Sequence, residues 1–163
     1  MSSPSEFDSL NSVTYLYLRE LSEPRDNSLR IIVDEAVDIR SGADPVQADT
    51  PELAEILKDS FPIESIEGCK RFELSRRTYV AYLVTEECVG SCGESGGETY
   101  SGKLFRLYTK SHFLDHLARD TGTHTEPIQH YKLTCLNHLI DVASYGPPEI
   151  RQIGPVSLPF RLQ

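Results

Sequence analysis

Alternation of apolar and polar side chains predicts that much of this chain forms β-strands. In residues 29–39, Ile31 and Val33 share one face while Asp34 points to the other, which is the period of a half-buried strand. Other segments rich in β-branched and aromatic residues have the composition of strands. They are residues 13–21, 66–74, 78–89, 103–109, 129–136 and 138–144, with 149–153 as a further candidate.

Two other stretches show the spacing of amphipathic helices. Residues 51–59 begin with Pro51 and follow Thr50, residue types that suit the first helical position and the N-cap. Residues 111–120 end before Gly122, which suits a left-handed C-cap. The apolar stripes are Leu53, Ile56 and Leu57 in the first helix, and Phe113, Leu114 and Leu117 in the second.

Short turns rather than crossover helices join most of these strands, which favours antiparallel pairing. The turn at residues 75–77 predicts a hairpin of residues 66–74 and 78–89. The second of these strands is apolar on both faces, so we expect it to be central in its sheet. The predicted fold class is α+β, a mostly antiparallel sheet of about seven strands with two short helices.

The length of 163 residues fits a single layered domain covering residues 1–163. Residues 1–10 are expected to be a frayed polar leader, and residues 154–163 a proline-punctuated tail. No apolar run reaches the roughly 18 residues that span a bilayer, and the N-terminus does not resemble a signal peptide. We therefore expect a soluble cytoplasmic protein whose four cysteines stay reduced.

The net charge of −9 is concentrated at the start of the chain. Residues 1–68 carry fifteen acidic and five basic side chains, whereas residues 69–163 carry ten acidic and eleven basic ones. This acidity argues against general nucleic-acid binding, which requires basic groups that displace counterions. It suits either solubility or a basic protein partner.

One cysteine pair and one histidine pair have local spacings found in zinc sites. Cys88 and Cys92 are separated by three residues, and so are His112 and His116. The interval from Cys92 to His112 is longer than usual for such sites, and helical periodicity turns both histidines toward water. Zinc binding therefore competes with a simpler interpretation, two ordinary thiols and two solvated histidines.

All five histidines lie in the last third of the chain, near several carboxylates that could join them in general-base chemistry. His130 and His138 flank a predicted hairpin, so strand pairing could bring them together across it; an equally good arrangement places both on the exposed face. The candidate catalytic residues are His112, His116, His130, His138, Asp115 and Asp141.

Residues 90–102 are rich in Gly, Ser and Glu and predict an irregular loop. This loop lacks the glycine patterns that hold phosphate groups, but long loops often carry function, so partner contact competes with a simple hairpin connection as its role. Its candidate binding residues are Cys92, Glu94 and Glu98.

Basic residues collect near the turn at residues 75–77. Arg76 and Arg77 are candidates for binding an anionic ligand there, and a solvated turn is the alternative. The positive patch could also include Lys70, Arg71, Arg106 and Lys110.

These features favour a non-enzymatic acidic binding module that holds a basic protein partner through electrostatic complementarity. One alternative is a small hydrolase, with or without a metal, that uses the histidine-rich last third of the chain. It requires at least two histidines and a carboxylate within hydrogen-bond reach in one pocket. A second alternative is a small-molecule sensor, which requires a closed apolar cavity of roughly a few hundred cubic ångströms.

Overall fold

A computed structural model of the protein describes residues 5–39, 49–58, 60–89, 96–121 and 127–157. Within these ranges the chain forms ten strands and three helices. The strands are β1 (Tyr15–Ser22), β2 (Leu29–Asp38), β3 (Ile63–Glu64), β4 (Lys70–Arg76), β5 (Ala81–Glu86), β6 (Thr99–Ser101), β7 (Phe105–Lys110), β8 (Gln129–Thr134), β9 (His138–Ser144) and β10 (Glu149–Pro155). The helices are α1 (Glu6–Ser12), α2 (Pro51–Leu57) and α3 (His112–Thr121). None of these three helices has the length and apolar character needed to cross a membrane.

The strands form two five-stranded sheets with antiparallel pairing. The first sheet has the order β1-β2-β4-β10, with β3 paired to β2, and the second has the order β5-β9-β8-β7-β6. The α+β class and the mostly antiparallel pairing are therefore confirmed, whereas the single sheet is wrong. A strand that is apolar on one face needs a second layer to cover it, and here another sheet supplies that layer.

The core lies where the inner faces of the two sheets meet. It includes Leu16, Val33 and Phe72 from the first sheet and Phe105, Leu133 and Ile140 from the second. Within it, the rings of Phe105 and Tyr131 stack with their centroids 5.6 Å apart. On the second sheet, α3 packs against β8.

The predicted hairpin of residues 66–74 and 78–89 is wrong, because β4 and β5 lie in different sheets. The connection between them crosses from one sheet to the other. Two hydrogen bonds hold it: the N–H of Tyr79 donates to the carbonyl of Asn27, and the N–H of Val80 donates to the carbonyl of Ala143. The expectation that β5 is central is also wrong, since β5 is an edge strand on which Leu83 is 50 % exposed.

A frayed leader was expected for residues 1–10, but α1 begins within that range, at Glu6, and residues 1–4 lie outside the described residues. Ser5 and Asp8 make a capping box at the start of α1, and Leu10 on that helix is fully buried. Asn11 Oδ1 accepts hydrogen bonds from the N–H groups of three consecutive residues, 103–105. This single side chain therefore fastens α1 to the segment that leads into β7.

The expected proline-punctuated tail at residues 154–163 begins inside the sheet. Gly154 and Pro155 are the last residues of β10. Val156 is buried, and its N–H donates to the carbonyl of Cys69 at 2.7 Å. Residues 158–163 lie outside the described residues.

Asp34 was predicted to lie on the polar face of its strand, and it lies there fully buried. Arg71 donates to both of its carboxylate oxygens, at 2.6 and 2.9 Å, and Arg19 Nε donates at 2.9 Å. The hydrogen bond that Arg71 donates to Asp34 raises the pKa of Arg71 above its usual value. Two guanidinium groups therefore balance a carboxylate that the fold removes from water.

Candidate functional site

His130 lies on the outer face of the second sheet, at the end where α3 packs. Tyr131 and Leu133 belong to the core, so strand alternation turns His130 to the opposite face. The antiparallel register places His130 between Tyr108 on β7 and Ala143 on β9.

Three buried polar side chains form a hydrogen-bonded chain through this histidine. Ser111 Oγ lies 2.7 Å from His130 Nδ1, and Asp141 Oδ1 lies 2.8 Å from His130 Nε2. Ser111, His130 and Asp141 are 2 %, 2 % and 8 % exposed. The Tyr108 ring stacks on the imidazole with centroids 4.3 Å apart, and the Phe113 ring meets it edge-on at 5.1 Å.

The hydrogen-bonded series of Ser111, His130 and Asp141 contains the residue types of a Ser-His-Asp triad. However, the Ser111 hydroxyl already has a structural role. The N–H of Leu114 donates to Ser111 Oγ at 3.2 Å, so Ser111 caps the N-terminus of α3. Because the Asp141 carboxylate accepts from Nε2–H, His130 Nδ1 accepts the Ser111 O–H. A nucleophilic serine must reach its substrate, and Ser111 is buried beneath α3. We infer that the hydrogen bonds among Ser111, His130 and Asp141 hold α3 against the second sheet.

The other candidate histidines, His112, His116 and His138, do not join the hydrogen-bonded series through His130. His112 and His116 are exposed on α3, as helical periodicity predicts, and His116 Nε2 lies 3.4 Å from Asp120 Oδ2. Asp115 is exposed in the first turn of the same helix. The hydrolase alternative required two histidines with a carboxylate, and among the histidines that the structure describes, His130 alone lies beside Asp141.

His138 is not close to His130, so strand pairing does not bring the two together across the hairpin. The register pairs His130 with Ala143, five residues beyond His138. His138 itself begins β9 and lies opposite Glu86 on β5. Its Nδ1 atom is buried, with no hydrogen-bond partner among the residues described.

Sequence reasoning missed Ser111 as a partner of His130. The signal available was its position directly before a helix, where a serine is a preferred N-cap. The link between His130 and Asp141 could have been found from the hairpin register, which makes the two residues diagonal neighbours on adjacent strands.

The zinc hypothesis depends partly on a residue that lies outside the described ranges, Cys92. Cys88 is exposed in the turn after β5. Among the described residues, no group of three or more His, Cys, Asp or Glu side chains could hold a metal ion. A site that includes Cys92 stays a prediction.

The glycine-rich loop contributes one described candidate, Glu98. Its Oε1 atom accepts a hydrogen bond from the N–H of His112 at 2.9 Å, at the start of α3. A carboxylate at this position also complements the positive end of the helix dipole. Cys92 and Glu94 lie outside the described residues, so their role in binding stays a prediction.

The basic residues predicted to form one patch are divided among different surroundings. Arg71 is bound to Asp34, and Arg106 lies over the ring of Tyr100 at 4.4 Å. Arg76 and Arg77 line a groove together with other arginines. Of the four arginines in the predicted patch, Arg76 and Arg77 are the two that line this groove.

A small apolar cavity lies between the sheets. Its volume is about 20 Å³, and it is lined by side chains such as Leu29, Tyr131 and Ile140. This is room for about one water molecule. The cavity is far smaller than the space that the sensor alternative requires.

The two amphipathic helices differ in what covers their apolar stripes. On α3, Leu117 is 8 % exposed, and Phe113 contacts the buried His130. On α2, Leu53 is 41 % exposed and Ile56 is 73 % exposed. The same spacing of apolar side chains therefore turns them toward the sheet in α3 and toward solvent in α2.

Comparison with known proteins found no relative of this chain. No protein-family model matches it, and neither a search of curated proteins nor a search of solved structures produced a match.

Proposed function

We propose that this protein is a non-enzymatic binding module that inserts the apolar side of α2 into an apolar groove of a basic protein partner. The observation that carries this proposal is the exposure of Ile56, at 73 %, beside Leu53, at 41 %. Both side chains lie on a regular helix with a threonine cap and a proline at its start.

An exposed pair of large aliphatic side chains has an energetic consequence. Burying one such side chain stabilises a protein or complex by about 1.5–3 kcal/mol. The fold gains little of that energy from Ile56, so most of it is available for a partner. Amphipathic helices that bind protein grooves use apolar anchors three or four residues apart, the spacing of Leu53 and Ile56.

The charges around α2 select the kind of partner. In the sequence from 49 to 67, which contains α2, the described residues include five acids and one base: Asp49, Glu52, Glu55, Glu64 and Glu67, with Lys58. Lys58 is already paired with Glu55. A groove rimmed by lysine or arginine would complement this surface, and long-range attraction would speed the association.

The polar chain through His130 supports binding rather than catalysis. Its serine caps a helix, and its imidazole is enclosed by two aromatic rings. These contacts give each group a structural role in holding α3 to the sheet.

The proposal is tested by affinity capture with the purified protein as bait, at about 0.1 M and about 1 M salt, where screening lengths differ by about threefold. We expect a basic protein to bind at the lower salt and to be lost at the higher one. The variant Ile56→Ser should lose this protein. Val89→Ser should retain it, because Val89 is 76 % exposed but lies outside α2.

A captured protein that is acidic, or that binds Ile56→Ser as well as the parent, would exclude α2 as the docking surface. Equal loss in Ile56→Ser and Val89→Ser would also count against the proposal, because general surface hydrophobicity would then explain the capture.

A further inference from the structure

A groove opens where three connections of the fold converge. It is bordered by the β1–β2 turn, the β4–β5 connection and the β9–β10 turn, and its volume is about 1010 Å³. The charged residues that line it are Arg25, Arg30, Arg76, Arg77, Asp26 and Glu149. Four arginines in one groove are notable in a chain whose net charge is −9.

Two of these arginines are exposed and form no ion pair with any residue that the structure describes. They are Arg25, in the β1–β2 turn, and Arg77, directly after β4. Arg30 differs, because it pairs with Glu20 and Glu73. The positive charge available to a ligand is therefore concentrated away from Arg30.

Arg76 is anchored with most of its donors unused. Its Nη1 atom donates to the carbonyl of Pro147 at 2.6 Å, which holds the guanidinium at the wall of the groove. Its buried Nε–H lacks a hydrogen-bond partner among the described residues. A guanidinium has five N–H donors arranged to match an oxyanion.

The acids of the groove offset only part of this charge. Glu149 forms an ion pair with Arg151, and Arg30 pairs with Glu20 and Glu73, which lie outside the lining. Among the lining residues alone, four arginines against Asp26 and Glu149 leave an excess of two positive charges. A phosphate monoester carries about −1.5 to −2 at pH 7, which matches that excess.

We propose that this groove binds the phosphate group of a small phosphate monoester. Arg76 and Arg77 would bind the phosphate oxygens from the β4–β5 side, and Arg25 from the β1–β2 side. The groove volume falls at the upper end of the range for small-molecule sites, so it accommodates more than the phosphate alone. Polyanionic nucleic acid is disfavoured, because the rest of the chain is strongly acidic.

The small cavity between the sheets helps to define the ligand. Leu29, Arg76 and Pro148 line both this cavity and the groove. Because the cavity holds only about 20 Å³, no long apolar chain can enter the core behind the arginines. The phosphate ester is therefore held at the surface, with no apolar tail in the core behind the arginines.

This inference uses residues different from those of α2, so it stands or fails independently of the proposed function. The test is isothermal titration calorimetry at low ionic strength with inorganic phosphate, glucose 6-phosphate and glucose as probes. We expect both phosphates to bind with Kd between about 10 µM and about 1 mM, and glucose not to bind.

Arg77→Gln and Arg25→Gln should each weaken phosphate binding about tenfold, or about 1.4 kcal/mol, which is near the lower end of what a hydrogen bond to a charged group contributes. Both residues are exposed, so the variants are expected to fold. The matched control is Arg119→Gln, which makes the same charge change on α3, outside the groove. Failure of both phosphates to bind, binding of glucose as tight as that of glucose 6-phosphate, or equal weakening by Arg119→Gln would overturn the proposal.

Discussion

Replacing Ser111 by alanine tests whether the buried chain through His130 is structural. The hydroxyl accepts a hydrogen bond from the N–H of Leu114 and shares a second one with His130 Nδ1. The variant removes both bonds without adding volume at a site that is 2 % exposed. It leaves His130 Nδ1 buried without its partner.

The expected loss follows from these two bonds. Removing a serine N-cap costs about 0.5–2 kcal/mol. Leaving a buried acceptor unsatisfied costs about 1–3 kcal/mol. Ser111→Ala should therefore lower the free energy of unfolding by about 2–4 kcal/mol, which corresponds to a decrease in Tm of about 5–15 °C for a chain of this size.

Urea denaturation and thermal melting followed by circular dichroism measure this loss. Ser5→Ala is the matched control, because Ser5 makes the same type of cap on α1 but is exposed and does not contact a histidine. Its cost should be about 0.5–1 kcal/mol. If Ser111→Ala costs no more than Ser5→Ala, the hydroxyl does not hold α3 to the sheet, and its role as a possible nucleophile must be reopened.

Two further predictions concern buried groups. Asp34→Ala should lower the free energy of unfolding by about 2–4 kcal/mol, because it removes three charge-assisted hydrogen bonds but leaves Arg19 and Arg71 with access to water; a loss below about 0.5 kcal/mol in urea denaturation would contradict this. Burial raises the pKa of the Cys135 thiol to about 12. At pH 8 only about one part in ten thousand of Cys135 is thiolate, so iodoacetamide mapped by mass spectrometry should label exposed Cys88 and spare Cys135 until the protein unfolds; equal labelling of both in the native state would refute the burial.

Local sequence patterns predicted the kind of structure better than its connections. The alternation in residues 29–39 is a property of one strand, and β2 occupies nearly that range. The assignment of β4 and β5 to different sheets depends on distant partners, β2 and β10 for one and β9 for the other. A turn between two apolar segments is compatible with a hairpin or with a crossing between sheets, so the sequence cannot distinguish them.

Two missed features illustrate different limits of sequence reasoning. The capping box of Ser5 and Asp8 was a readable helix signal, but α1 is short and polar, so its pattern was weak. The chain from Ser111 through His130 to Asp141 joins a helix start to two strands. Each residue suits its own helix or strand. Only the packing of α3 on the sheet, however, brings Ser111 to His130 and Asp141.

The stripe on α2 could not be assigned from its pattern at all. The spacing of Leu53 and Ile56 is typical of a helix that faces a core, and it is equally typical of one that faces a partner. Only their exposed fractions, 41 % and 73 %, separate the two interpretations.

The most direct test of the proposed docking surface needs no partner: the free energy of unfolding of the double variant Leu53→Ser/Ile56→Ser, measured in urea. If this stripe is free for a partner, the value should fall by no more than about 1.5 kcal/mol, mostly from Leu53, which is 41 % exposed, whereas Ile56 is 73 % exposed. A decrease of more than about 2 kcal/mol would show that the rest of the chain covers both side chains, and the account of α2 as a docking helix would be wrong.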